Sequence, residues 1–322
     1  MTSNPNVSYL LPEIGSWLRS VHSFSQNELD AISAAEITGR PLLIQGEPGL
    51  GKSQIARAIA ADKKWPLITH TVNARTDIED LLYRVDHVRR LSEAHLLAAS
   101  GKTLDKSLAN FLDPGPIWRA LEFSVGKKNV YTEDCYPNPN HKNEAGWYIP
   151  QKPGCVLLID EIDKAPPDVP NALLEVLSEM KFLVTQTGVT VAGNKKHLRI
   201  IITANEEREL PSAFVRRCAA LELGLGNDPK GRLCEIAYAH IENKLLPALD
   251  PDILEYAATC VVRERERLNE GNYRPGTSEF LDLLKVAAEH AQPGKDSDAA
   301  IRMMDRMGKY LIRKSVGSAE NG

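Results

Sequence analysis

The sequence predicts an α/β fold, a central parallel sheet covered by helices and followed by a smaller all-helical segment. Three observations predict it. Strand-like and helix-like runs alternate over the first two thirds of the chain, a glycine-rich loop stands between an apolar run and a helical pattern, and the strand-like runs stop after about Gly224.

The candidate strands are Leu42–Gln45, Pro66–Val72, Val156–Asp160, Arg199–Thr203 and Ala220–Leu223. Leu42–Ile44, Val156–Asp160 and Arg199–Thr203 read as buried strands, the other two as strand-like runs of ordinary strand length. Beyond Gly224, segments near Lys230–Leu245, Pro251–Glu266, Thr277–Ala291 and Ala299–Arg313 carry helical patterning, separated by the breaker-rich stretches "LDPD", "GNYRPG" and "AQPGKDSD". A boundary is therefore expected near Gly224–Asp228. The organisation reads as a nucleotide-binding domain over 1–225, with a helical lead-in at 1–38 and a loop insertion at 124–154, and an α-helical lid domain over 226–322.

The loop itself is "GEPGLGKSQ". Its spacing Gly46-x-x-x-x-Gly51-Lys52-Ser53 is the P-loop pattern, in which backbone N–H groups cradle phosphates, the lysine reaches the outer phosphates and the hydroxyl binds Mg²⁺. Glycine is required because a side chain would block the approach of the backbone. Gly46, Glu47, Pro48, Gly49, Leu50, Gly51, Lys52, Ser53 and Gln54 are the candidate nucleotide-binding residues, with Ile55, Ala56, Ile59 and Ala60 at helical spacing behind them.

A second motif, "VLLIDEIDKA", ends a buried strand in Asp160 and Glu161, at the strand end where open α/β sheets bind ligands. Asp160 is the candidate metal ligand with Ser53, and Glu161 the candidate base that polarises water. A third, "RIIITANEERELPSAFVRRC", ends a strand at Asn205, whose amide can orient a water if that strand lies between the other two. Arg216 and Arg217 follow at the end of a short helical stretch, read either as a solvated helix terminus or as an arginine finger.

These motifs together resemble the AAA+ ATPases, and within them the MoxR and dynein-related branch. The resemblance covers roughly Asp30 to Leu284 and extends to "TDIEDLLYRVDHVRRL" (76–91) and "PGPIWRAL" (114–121). It implies a P-loop NTPase three-layer αβα sandwich with strand order 5-1-4-3-2 and an α-helical lid. It further implies ATP and Mg²⁺ as cofactors, hydrolysis with Glu161 activating water, Asn205 sensing the γ-phosphate, and Arg217, with Arg216 second, acting on a neighbour's nucleotide. A ring, most simply a hexamer, and a protein client, such as a von Willebrand factor A domain protein, are the implied partners.

The residues of the branch-specific stretches fit that picture. Thr76-Asp77-Ile78-Glu79 reads as a capping box, and Ile78, Leu81, Leu82, Val85 and Val88 predict one helix with an apolar face. "KFLVTQTGVTVAGNKKH" alternates around Gly188 and predicts a hairpin. Ser278 stands where relatives often place the sensor 2 arginine, and Arg274 is the candidate substitute. Segment 124–154 is polar and rich in Pro and Asn; its Cys135 and His141, with Cys155, lack regular zinc spacing, so it reads as a surface loop or partner-specific insertion.

Composition narrows the function classes. A net charge of −4 gives no global basic footprint for nucleic acid. No apolar run approaches a membrane span, the start lacks a signal-peptide pattern, and a cytoplasmic location is the default expectation. Five scattered cysteines suggest buried thiols. Three readings stand: a ring ATPase that remodels a protein client, a nucleic-acid motor or clamp loader, and a nucleotide-gated switch. The acidic balance disfavours the second and the full hydrolytic set disfavours the third.

Overall fold

Five apolar runs form the five strands of a central parallel sheet in a computed structural model of the chain, which describes residues 7–13, 17–100, 108–126, 135–136, 153–205, 207–268, 274–290 and 297–312. They are β1 (Leu42–Gln45), β2 (Leu67–Thr71), β3 (Cys155–Asp160), β4 (Leu198–Ala204) and β5 (Ala219–Glu222), in the spatial order β5-β1-β4-β3-β2. This is the expected 5-1-4-3-2 order, and β4 lies between β1 and β3. The register pairs Ile202 with Ile159, and Thr71 with Asp160, so the carboxyl ends of β2, β3 and β4 share one edge of the sheet. Cys135–Tyr136, inside the expected insertion, adds two residues antiparallel to β2; most of 124–154 lies outside the described residues.

Two compact units divide the chain. The sheet unit, Asn27–Ile44 and Ile59–Leu221, is centred on the sheet. Its core joins Leu43, Ile68, Leu157, Ile159, Ile200 and Ile202 from the strands with Leu121, Phe123, Leu173 and Leu177 from helices Pro116–Ser124 and Asp168–Glu179. β1, β3 and β4, inside the sheet, are apolar almost throughout because both faces there are covered, whereas edge strand β5 exposes Ala220 and Glu222 around buried Leu221. Burial of the Cys218 thiol in this unit pushes its pKa up to about 11, so it stays protonated and inert.

The helical unit, Met1–Gln26, Gln45–Ala58 and Glu222–Gly322, is built on helices Pro229–Glu242, Pro251–Arg267, Thr277–His290 and Ser297–Leu311. Their apolar faces meet through Leu233, Leu254, Val261, Phe280, Leu283 and Met304. The first of these helices has a locally marked start, where Asp228 accepts from the Gly231 N–H and Pro229 occupies the first turn.

Two expectations are corrected. Among the described residues of 1–38 the lead-in is helical only over Gln26–Thr38, while Ser8–Leu11 and Ser20–Ser23 pair as antiparallel strands. Pro12 interrupts any helix there, and in the helical unit the hairpin is held by Arg232, which donates to the Ser23 carbonyl at 2.7 Å.

The single helix expected from Ile78 through Val88 is broken. Helix occupies Ile78–Leu82, Tyr83–Val85 turn into a strand paired with Leu112–Pro114, and a new helix runs from His87 to Ala99. The capping box also sits one residue later than expected. Asp77 accepts from the Asp80 N–H at 2.9 Å and Asp80 accepts from the Asp77 N–H at 3.0 Å, while the buried Thr76 hydroxyl accepts from the Asn73 N–H. The break is tertiary in origin: Tyr83 stacks on Phe182 and meets Trp118 edge-on, which a continued helix would not allow, and Val88 is left 77% exposed. The hairpin expected around Gly188 is present, with Lys181–Val184 paired to Val189–Ala192 and Gly188 at φ +69°. No helix among the described residues is long and apolar enough to cross a membrane.

Candidate functional site

In the sheet unit, the strand-end residues meet through side-chain hydrogen bonds. Thr203 Oγ1 donates to Asp160 Oδ1 at 2.5 Å and accepts from the Glu161 N–H at 2.9 Å, which locks the end of β3 to the end of β4. Asn205 Nδ2 donates to Glu161 Oε1 at 3.0 Å, and Lys164 Nζ donates to Glu161 Oε2 at 2.8 Å. Both oxygens of Glu161 therefore face donors. The hydrogen bond to Glu161 holds the Lys164 ammonium above its ordinary pKa.

Backbone geometry serves the same end. Glu161 adopts a left-handed conformation, φ 61° and ψ 47°, which costs a residue with a Cβ of the order of 1 kcal/mol. The turn links the strand directly to the short helical turn Ile162–Lys164 and leaves Glu161 at the strand's carboxyl end. Buried Asp163 supports it from behind, accepting from the N–H groups of Asn205 and Glu207 at 3.0 and 3.1 Å.

The phosphate-loop residues belong to the helical unit. Gly46, Gly49 and Gly51 have φ of +146°, +80° and +90°, and a Cβ on Gly46 would lie 2.5 Å from the Leu223 carbonyl oxygen. Positive-φ glycines spaced along a loop favour the kind of concavity whose N–H groups bind anions. Lys52, 6% exposed, donates from Nζ to the carbonyls of Gly46 at 2.7 Å and Glu47 at 2.8 Å, so a cation sits over the loop. The loop fits a polyphosphate: it combines positive-φ glycines with a buried ammonium.

Arg274 reaches the same loop, with Nη1 3.4 Å from Glu47 Oε1. Ser278 does as well, since its N–H and its hydroxyl both approach the Gly49 carbonyl, at 3.2 and 3.3 Å. Arg265, which the sequence reading did not single out, pairs with Glu47 Oε2 and donates to the Pro275 carbonyl at 2.8 Å.

Arg216 and Arg217 lie elsewhere in the sheet unit, at the end of the short helix Ser212–Val215. Both are exposed. They line a cleft of about 230 Å³ together with Arg40 and Lys195, over a floor that includes Leu177 and Phe214; Asp160, Glu161 and Asn205 are not among its walls. Arg217 Nη1 donates to the Ala213 carbonyl at 3.3 Å.

Four supporting residues were missed from sequence. Thr203 and Asp163 flank motif residues and were readable as polar positions in otherwise apolar or turn segments, whereas Lys164 and Arg265 carry no local signal that separates them from surface cations.

Comparison with known proteins finds a family and several partial likenesses. A family model described as the AAA domain (dynein-related subfamily) matches residues 41–218, more than half of the 322-residue chain. A 175-residue stretch is 46% identical to the chaperone protein ClpB of Mycoplasma pneumoniae, covering 52% of this chain but 22% of that protein, so the chain spans about a fifth of that relative. Similar solved structures include the RuvB Holliday junction branch migration motor of Thermotoga maritima, 15% identical over 88% of this chain and 67% of that one, with a TM-score of 0.46. NtrX from Brucella abortus in complex with ATP is 16% identical over 96% of this chain and 58% of that one, with a TM-score of 0.47.

Proposed function

The chain belongs to the AAA domain family, dynein-related subfamily, and from that premise we propose that it is a Mg²⁺-dependent ATPase of MoxR type that works as a ring on a protein client. The observation that carries the hydrolytic part is the Glu161 carboxylate held between Asn205 and Lys164 beside an Asp160 locked by Thr203. A carboxylate oriented on both oxygens at a strand end is suited to take a proton from water. A pure nucleotide switch has no need of one.

In this reading the loop 46–54 binds the phosphates, with Lys52 as the cation that meets their outer charge. Mg²⁺, when bound, supplies charge neutralisation at the outer phosphates, and Ser53 and Asp160 are the residues assigned to it. Glu161 accepts the proton of the attacking water, and Asn205 keeps Glu161 and that water in line. Arg217, with Arg216 second, serves a neighbouring subunit. The division into a base over 1–225 and a lid over 226–322 belongs to the same proposal.

The 46% identical stretch in a chaperone supports remodelling of a protein client; a von Willebrand factor A domain protein is the client class we favour, and a hexamer the ring. The test is phosphate release from ATP by the full chain with and without Mg²⁺, alongside pulldown from the native host. Metal-dependent turnover that disappears in Glu161→Gln, with ATP still bound, supports the reading. Absence of turnover in the assembled, unaltered protein overturns it.

A further inference from the structure

A carboxylate in a phosphate-binding loop presents a physical problem. Glu47 is the second residue of that loop, one peptide from Gly46, and an ionised side chain there repels the polyphosphate that the loop's backbone and Lys52 would attract. The structure gives Glu47 two partners, both from the helical unit. Arg265, on helix Pro251–Arg267, pairs with Oε2, and Arg274, just before helix Thr277–His290, lies with Nη1 3.4 Å from Oε1. Each carboxylate oxygen therefore has its own guanidinium.

Both arginines are themselves anchored. Arg265 Nη1 donates to the Pro275 carbonyl at 2.8 Å and Arg274 Nη2 to the Leu268 carbonyl at 3.1 Å, so each guanidinium is also held by a backbone carbonyl near the other arginine in the chain. The side chains of Arg265, Arg274 and Glu47 are 18%, 26% and 30% exposed, which leaves their charges less screened than on an open surface. Ser278 approaches the loop through its hydroxyl and N–H at Gly49, contacts that carry no full charge.

We propose that Arg265 and Arg274 are positioning residues that act on the nucleotide through Glu47, cancelling its charge and tethering the phosphate loop to the helices that follow residue 250. This inference rests on the nucleotide reading above. It assigns to Arg265 a role that the sequence does not disclose, and to Arg274 a role different from direct phosphate contact. It also predicts which nucleotide feels the change most. An uncompensated carboxylate repels the extra negative charge of ATP more than it repels ADP, so the arginines set the preference between the two.

The experiment is a double-mutant cycle on the full chain, with dissociation constants for fluorescent ATP and ADP analogues measured at low and high salt. Arg265→Ala, which leaves Glu47 only its 3.4 Å contact with Arg274, is expected to weaken ATP severalfold and ADP less, and removal of both arginines to weaken ATP by roughly tenfold or more, with the loss shrinking at high salt. In the Glu47→Gln background the same arginine substitution is expected to have little further effect, because the charge it offsets is gone. Arg265→Lys is expected to restore part of the loss, and a cycle run on thermal stability without nucleotide should show the same pair coupling. An equal loss in the Glu47 and Glu47→Gln backgrounds overturns the proposal, because the arginine then acts directly on the ligand or on the fold alone. No loss in either background also overturns it. Failure of the unaltered chain to bind either nucleotide overturns the nucleotide reading itself, which separates that failure from this one.

Discussion

The side-chain amide of Asn205 donates to Glu161 Oε1 at 3.0 Å across two strand ends that lie 44 residues apart in the chain. That bond orients a carboxylate without supplying a charge, and Lys164 on the other oxygen supplies one. Glu161→Gln is expected to keep ATP binding and lower turnover by about a hundredfold or more, the scale for loss of a general base. Asn205→Ala should cost less, of the order of tenfold, since the base remains but its aim is lost. Steady-state phosphate release together with nucleotide titration checks both; near-normal turnover in Glu161→Gln removes it from the mechanism.

Lys52→Ala acts at a different step. Its ammonium is buried over the loop and bonded to two carbonyls, and a charge-assisted contact to a phosphate is worth more than a neutral one. Nucleotide affinity should fall by roughly ten- to a hundredfold. Equilibrium titration with a fluorescent ATP analogue reads this directly, and an unchanged affinity would exclude Lys52 from phosphate binding.

Arg216 and Arg217 project from an exposed helix end and line a cleft that excludes Glu161. If Arg217 serves a neighbour, an Arg217→Ala subunit and a Lys52→Ala subunit, each inactive alone, should recover part of the ATPase activity when mixed. An arginine supplied in trans is worth about 10³–10⁵ in rate, so recovery would be well above background. A silent mixture in which mass measurements show mixed rings would refute the trans arrangement.

Glu36 provides a stability test independent of catalysis. Lys63 and Arg199 lie 2.7 and 2.8 Å from the same carboxylate oxygen, with side chains only 15–16% exposed. Burial alone pushes the Glu36 carboxyl up, but the hydrogen bonds and charges of Arg199 and Lys63 outweigh it and hold it below the ordinary carboxylate value. A lowered folded pKa means that the ionised form stabilises the fold at pH values above the unfolded value near 4.5 and that this contribution is lost as pH falls through the lower folded value. Glu36→Gln should therefore destabilise by about 2 kcal/mol at pH 7 and by progressively less below the unfolded value. Urea denaturation at neutral and acidic pH checks it; an equal loss at both would show that charge is not the cause.

Short windows of sequence determined much of this protein. The phosphate loop, the apolar runs of the five strands and the helices after Gly224 are written in neighbouring residues, because glycine dihedrals, strand burial and helix periodicity are local requirements. The left-handed turn at Glu161, the break after Leu82 and the hairpin at the N-terminus were decided by tertiary structure. In each, packing against distant residues, as of Tyr83 on Phe182, outweighs the local pattern. The same holds for the contacts that make a site of the motifs. Thr203 reaches Asp160 only because β4 lies parallel beside β3, and Arg265 reaches Glu47 across 218 residues of chain. Such pairs leave no periodicity to read: a surface-type arginine or lysine becomes a partner only when the packing of apolar faces brings a half-buried carboxylate within hydrogen-bonding distance.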